Sequence, residues 1–190
     1  TGLWVLHMRK KVKFILLVGV LMFSGVSNAH DSNIATFQIR HLDDGRWIYE
    51  VMTPLYGIDQ SLIASSSNKA KLKAIPKGST AYKQRLVAHI KQAFDVKAFS
   101  RGEKTQEVTT SQLRLGEGKI KLDDHLSVFI FEILGMPENV TQLKFRISNM
   151  ANKDSQNNIL RLIDGAKNKK YLLNHKNNFS GVDKGFFFAP

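Results

Sequence analysis

The residues of this chain that could hold a metal are His30, Asp123 and His125. His30 stands at a seam, SGVSNAHDSN (residues 24–33), where an apolar segment meets a polar one. If the chain is cut after Ala29, the His30 imidazole and the new α-amino group lie on one residue and can chelate a single ion. Copper(II), which favours tetragonal nitrogen and oxygen ligation, suits such a pair. Asp123 and His125, in LDDHLSVF (122–129), supply an Asp-x-His pair that could complete the site. The competing reading makes His30 a polar residue at a terminus and Asp123-Asp124-His125 a turn before a strand, and such turns far outnumber metal sites. A copper(I) carrier would also need clustered methionines, whereas Met52, Met136 and Met150 are dispersed.

Other chemistry is thin. No GxSxG elbow, HExxH helix, GxxxxGK[ST] loop or GxGxxG fingerprint occurs. With no cysteine there is no thiol nucleophile, thiolate ligand or redox pair. The expectation is therefore not an enzyme but a binding protein without a resident cofactor, with copper as the alternative cofactor. A hydrolase with a dispersed site is the weaker alternative. His41, His89 and His175 fall at unrelated spacings and read as satisfied surface or core residues. Asp43, Asp44 and Asp59 do not follow the calcium-loop pattern. Asn149, Asn152, Asp154, Gln156 and Asn157 form an amide-rich run that could bind carbohydrate or peptide, but turn chemistry accounts for it more simply.

Residues 8–29 explain the seam. MRKKVK, FILLVGVLMF and SGVSNA give the cationic, apolar and small-residue parts of a secretory signal peptide. Ser27 and Ala29 fit the narrow subsites of a signal peptidase, so the chain is expected to be cut after Ala29 and to work in the periplasm or outside the cell. An uncut anchor would need about 20 apolar residues, and Ser24 interrupts this run earlier. Residues 1–7, TGLWVLH, precede a good initiator at Met8 and read as an upstream, non-native extension. Removing 29 of 190 residues leaves 161, enough for one domain (30–190) with its own core. The leader holds four of the 28 Lys and Arg and no acid, so 24 cations against 16 acids leave the mature chain at +8, compared with +12 overall. That balance would allow an envelope protein, a glycan or an anionic surface as partner, but the cations are spread along the chain without a run of five or six and read first as a solvated surface. Nucleic acid is not expected, nor is any transmembrane segment after the leader.

The elements follow from periodicity. Ala35, Phe37 and Ile39 alternate with Thr36, Gln38 and Arg40, and Trp47, Tyr49 and Val51 do the same after the Asp43-Asp44-Gly45 turn, predicting a hairpin. Residues 58–64 fit a short helix or a strand, and 65–78 read as a loop. Ser79 reads as the cap of a helix through about Phe94, with Tyr82, Leu86 and Ile90 on one stripe. Further strands are expected at 96–99, 108–115, 119–122, 126–134, 142–148, 159–163 and 171–173, with Gly116-Glu117-Gly118 among the turns. SVFIFEIL (127–134) is apolar on both faces and is placed centrally, and the tail could dock as a strand or fray. The fold class is mainly β, a sandwich of immunoglobulin or Greek-key type with one packed amphipathic helix, α+β being the alternative.

Several exported copper proteins resemble the arrangement of His30 with Asp123 and His125, since they carry a mature N-terminal histidine on a β-sandwich and an Asp-x-His pair. As a whole, the mature chain resembles a family of small exported bacterial proteins defined as a domain of unknown function. His30 before the first strand, the helix-then-strand centre and the strand–DSQNNI–strand–YLLN ending carry that likeness. It implies a β-rich exported domain and supplies no activity. HDSNIATFQI is also similar to the exported N-terminal region of bacterial metal-transport membrane proteins, but the later membrane spans of those proteins have no counterpart here.

Overall fold

In a computed structural model of the chain, residues 34–101, 108–148 and 156–187 are described. His30, the leader with Ser27 and Ala29, and the amide-rich run up to residue 155 lie outside them. The described residues are mainly β. A hairpin, β1 (Ile34–His41) and β2 (Trp47–Thr53), leads into three helices: α1 (Leu55–Ser65), α2 (Lys69–Lys73) and α3 (Thr80–Gln92). Strands β3 (Asp95–Arg101), β4 (Val108–Gln112), β5 (Arg114–Lys121) and β6 (Ser127–Leu134) follow. The chain closes with β7 (Val140–Arg146), β8 (Asn157–Asp164), β9 (Lys167–Leu173) and β10 (Ser180–Lys184).

Two sheets result, one in the order β5-β6-β2-β1-β8-β9 and one in the order β10-β7-β3-β4. All neighbours are antiparallel except β1 and β8, so the larger sheet is mixed. As the alternation requires, Ala35, Phe37 and Ile39 are buried and Trp47, Tyr49 and Val51 join them, with Phe129, Phe131, Leu160 and Leu162 from neighbouring strands. The smaller sheet adds Val96, Ala98, Leu143 and Phe145 to the same core. The Phe145 ring meets Tyr171 of β9 edge-on at 5.1 Å. The helices cover another part of the inner face, where Phe94 meets Tyr49 edge-on at 4.8 Å and Lys91 lies over the Phe131 ring. Each sheet thus turns one face to the core and the other to solvent. Among the described residues, no helix is long and apolar enough to cross a membrane.

Three helices stand where one was expected. Leu55, Ile58 and Leu62 are buried on α1, and this helical spacing settles residues 55–65 as helix. Leu72 on α2 is the apolar anchor that makes a helical turn of the expected loop. Ser79 caps α3 as read, its hydroxyl accepting from the Tyr82 N–H at 3.2 Å. Gly116-Glu117-Gly118 is not a turn but a bulge within β5, marked by a register shift between Leu115 and Gly118. SVFIFEIL is interior, between β5 and β2. The tail docks: β10 pairs with β7, and Phe187 is buried against Trp47.

Candidate anion-binding surface

Asp123 stands at the entry to β6 and spends its carboxylate on its own loop. One oxygen accepts from the His125 N–H at 2.9 Å and the Leu126 N–H at 3.3 Å. Ser127 closes the turn, its hydroxyl donating to the Asp123 carbonyl at 2.8 Å. The two backbone donors hold the Asp123 carboxyl below the usual carboxylate range. This is an Asx turn, a structural role for Asp123. Among the described residues, no group of three His, Cys, Asp or Glu side chains is placed to hold a metal ion.

Several other titratable groups are also tied into the scaffold. Asp183, buried on β10, accepts from Lys169 Nζ at 2.6 Å, from the Tyr171 hydroxyl and from the Phe186 N–H at 3.1 Å, joining the two sheets. The Asp183 bond pushes the Lys169 pKa up, and burial followed by the same carboxylate pushes Tyr171 up. Asp59, buried on α1, accepts from the Tyr82 hydroxyl at 2.9 Å and pairs with Lys77 at 3.0 Å. His41 stacks on Trp47 at 4.5 Å and meets Asp164, its register partner, at 3.1 Å. His89 lies between Ser61 Oγ at 2.9 Å and Ser65 Oγ at 3.4 Å. The first contact has the distance of a nucleophile–base pair. However, Ser61 is only 2% exposed, and a hydroxyl instead of a carboxylate faces the second ring nitrogen. A substrate has no approach to that serine.

Cations outside these pairs also stand on the solvent faces of the sheets. Register places Arg161 of β8 directly opposite Lys170 of β9, and Lys97 of β3 directly opposite Lys144 of β7. Each pair lines a shallow groove. The first groove, about 560 Å3, is completed by Thr36, Ile159 and Asn168. The second, about 380 Å3, adds Arg146 and Val182, with Asp95 at its end. None of the four cations belongs to an ion pair among the described residues. Like charges directly opposite across a ladder cost roughly 0.2–1 kcal/mol each, so both faces carry positive charge that the fold does not neutralise.

Apolar side chains flank that charge. Lys144 reaches over the Phe99 ring at 5.0 Å, and Val182 beside it is exposed. On the larger sheet, one row across the strands runs Lys121, Val128, Met52, Thr36, Ile159, Leu172. The next runs Lys119, Ile130, Glu50, Gln38, Arg161, Lys170. Arg161 and Lys170 stand side by side at the end of this row, beside Ile159 and Leu172 of the first, and this adjacent cation pair with its apolar border suits an anionic partner; Glu50 and Gln38 separate it from Lys119. The members of each pair are far apart in sequence except Arg161 and Lys170, whose hairpin register was the one signal open to sequence reading. No family model matches the chain, and no curated protein is significantly similar to it.

Proposed function

We propose that this is an exported, non-catalytic domain that binds a polyanionic glycan of the cell envelope through its exposed sheet faces. The observation that carries the reading is the pair of unneutralised cross-strand cation pairs, Lys97/Lys144 and Arg161/Lys170, each lining a groove on a solvent-facing sheet. A structural lysine gains nothing from a like charge opposite it, whereas an anion lying between the strands turns that repulsion into two attractions. The leader-like residues 8–29 support export, and the charge of +8 that remains once they are removed, 24 cations against 16 acids, supports attraction at a distance. Two opposed faces favour a polymer over a bilayer, because one flat membrane reaches only one of them.

The test exchanges a cation for an acid and reads binding and stability together. Lys97→Glu and Lys170→Glu each convert a repulsive cross-strand pair into an attractive one. Heparin, as a model polyanionic glycan, should bind the protein with a salt-sensitive Kd that each variant weakens by about fivefold or more, while urea stability rises by about 0.2–1 kcal/mol. Unchanged heparin affinity in both variants would sink the reading. So would a preference for phosphatidylglycerol vesicles over heparin.

A further inference from the structure

The helices carry a second feature, independent of the sheet faces. A groove of about 250 Å3 opens between the C-terminal end of α1 and one side of α3. Leu62 and Leu72, both buried, form its apolar floor. Ser65, Ser66 and Ser67 stand on one wall, and Arg85, His89 and Gln92 on the other. These last three recur at intervals of four and three, so they share one face of α3.

The polar groups are mostly donors. Arg85 is exposed, brings five N–H groups, and joins none of the ion pairs among the described residues. Ser66 Oγ accepts the Asn68 N–H at 3.2 Å, which leaves its own hydroxyl hydrogen to be given to another acceptor. Gln92 adds an amide. His89 is anchored by Ser61 and Ser65 at the edge of the groove. No carboxylate lines it, and the nearby Asp59 is already engaged by Tyr82 and Lys77. The groove thus combines a fixed positive charge and the Ser66 hydroxyl donor with an apolar floor, in a volume below the roughly 300–1,000 Å3 of drug-sized sites.

We propose that this groove binds a small organic anion. Its oxyanion head pairs with the Arg85 guanidinium and the Ser66 hydroxyl, since the Ser65 hydroxyl is already given to the Leu62 carbonyl at 3.0 Å, and its short apolar body lies over Leu62 and Leu72. Arg85 is suited to the head because its planar fork matches two oxygens at once. Carboxylates and phosphates share this head chemistry, so the probes must separate head from body.

The experiment is an amide NMR titration of the 15N-labelled protein with butyrate, and in parallel with inorganic phosphate, which has the head but no body. Butyrate should produce saturable shifts centred on residues 62–67 and 85–92. Phosphate should shift the same amides at least about threefold more weakly. Arg85→Gln keeps an exposed helix-compatible side chain, so the fold should be retained, and it should weaken butyrate about tenfold, the loss of one charge-assisted pair. Lys97→Glu should leave butyrate binding unchanged, which separates this site from the sheet faces. Shifts that fail to saturate, that persist unchanged in Arg85→Gln, or that centre on Lys97, Lys144, Arg161 and Lys170 would overturn the proposal. Phosphate binding as tightly as butyrate would overturn the role given to the leucine floor.

Discussion

At Asp183 a single carboxylate is the meeting point of the two sheets. It is 1% exposed and takes hydrogen bonds from Lys169, Tyr171 and the Phe186 backbone, so none of its charge is left without a donor. Asp183→Ala leaves the Tyr171 hydroxyl and the Phe186 N–H without that acceptor, while the half-exposed Lys169 ammonium returns to water. Stability to urea should fall by about 2–4 kcal/mol, and a loss below about 1 kcal/mol would show that the clasp is dispensable. Tyr171 of this cluster, with Tyr49 and Tyr82 elsewhere in the fold, sets a pH limit. Burial pushes Tyr49 up, burial and then the Asp59 bond push Tyr82 up, and burial and then Asp183 push Tyr171 up. Unfolded tyrosine ionises near pH ~10, so above that pH the unfolded state loses protons that the folded state keeps. Stability is therefore complete below pH ~10 and falls as pH rises. Lys169, also raised, acts in the same direction, contributing below its unfolded value and losing that contribution as pH climbs through the folded one. In a Tyr56→Phe variant, which removes the exposed fourth tyrosine, tyrosinate absorbance should thus appear together with loss of the β-sheet circular dichroism signal; separate transitions would contradict the assignment.

Among the elements, both sheets use one packing device, a phenylalanine ring laid over the glycine opposite it. Phe131 covers Gly118, and Phe145 covers Gly181. A Cβ added at Gly181 would stand 2.4 Å from Phe145 Cε2, and the ring could yield only by leaving Tyr171. Gly181→Ala should cost about 1–3 kcal/mol as an overpacked core site. Gly116→Ala is the internal control, since its nearest neighbour, Leu134 Cδ1, stands at 3.4 Å, and it should change stability by less than about 0.5 kcal/mol. Equal costs at the two glycines would refute the packing account. This device also marks how far the sequence could be read. The β1–β2 hairpin and the capped helix α3 were legible because their signals are local: alternation, a tight turn, a serine three residues before the amide it caps. Gly116-Glu117-Gly118 was misread as a turn because glycine there serves a ring 13 residues further along the chain, and nothing nearby says so. The same limit hid most of the candidate site. Lys97 and Lys144 become a pair only when β3 and β7 are in register. Asp123-x-His125, by contrast, was visible in the sequence, but the same residues also spell an Asx turn.

For the whole molecule, the decisive property is that the two uncompensated pairs lie on different sheets, each on the face turned away from the shared core. The inner faces of both sheets share one core, so a rigid, flat partner can use Lys97/Lys144 or Arg161/Lys170 but not both. A flexible chain long enough to pass round the domain can use both, and the second contact then forms at a high effective concentration. Affinity should accordingly depend on polymer length. A heparin hexasaccharide spans one face, whereas a chain of several tens of sugars reaches the other and should bind more tightly by about a hundredfold, within the range that linked contacts provide. Lys170→Glu removes one of the two contacts, so it should erase most of the long chain's advantage while leaving a hexasaccharide seated at Lys97/Lys144 nearly unaffected. Affinities measured for both lengths against the native protein and this variant separate the cases. If the long-chain advantage survives Lys170→Glu intact, the larger sheet takes no part in binding and the smaller sheet acts alone.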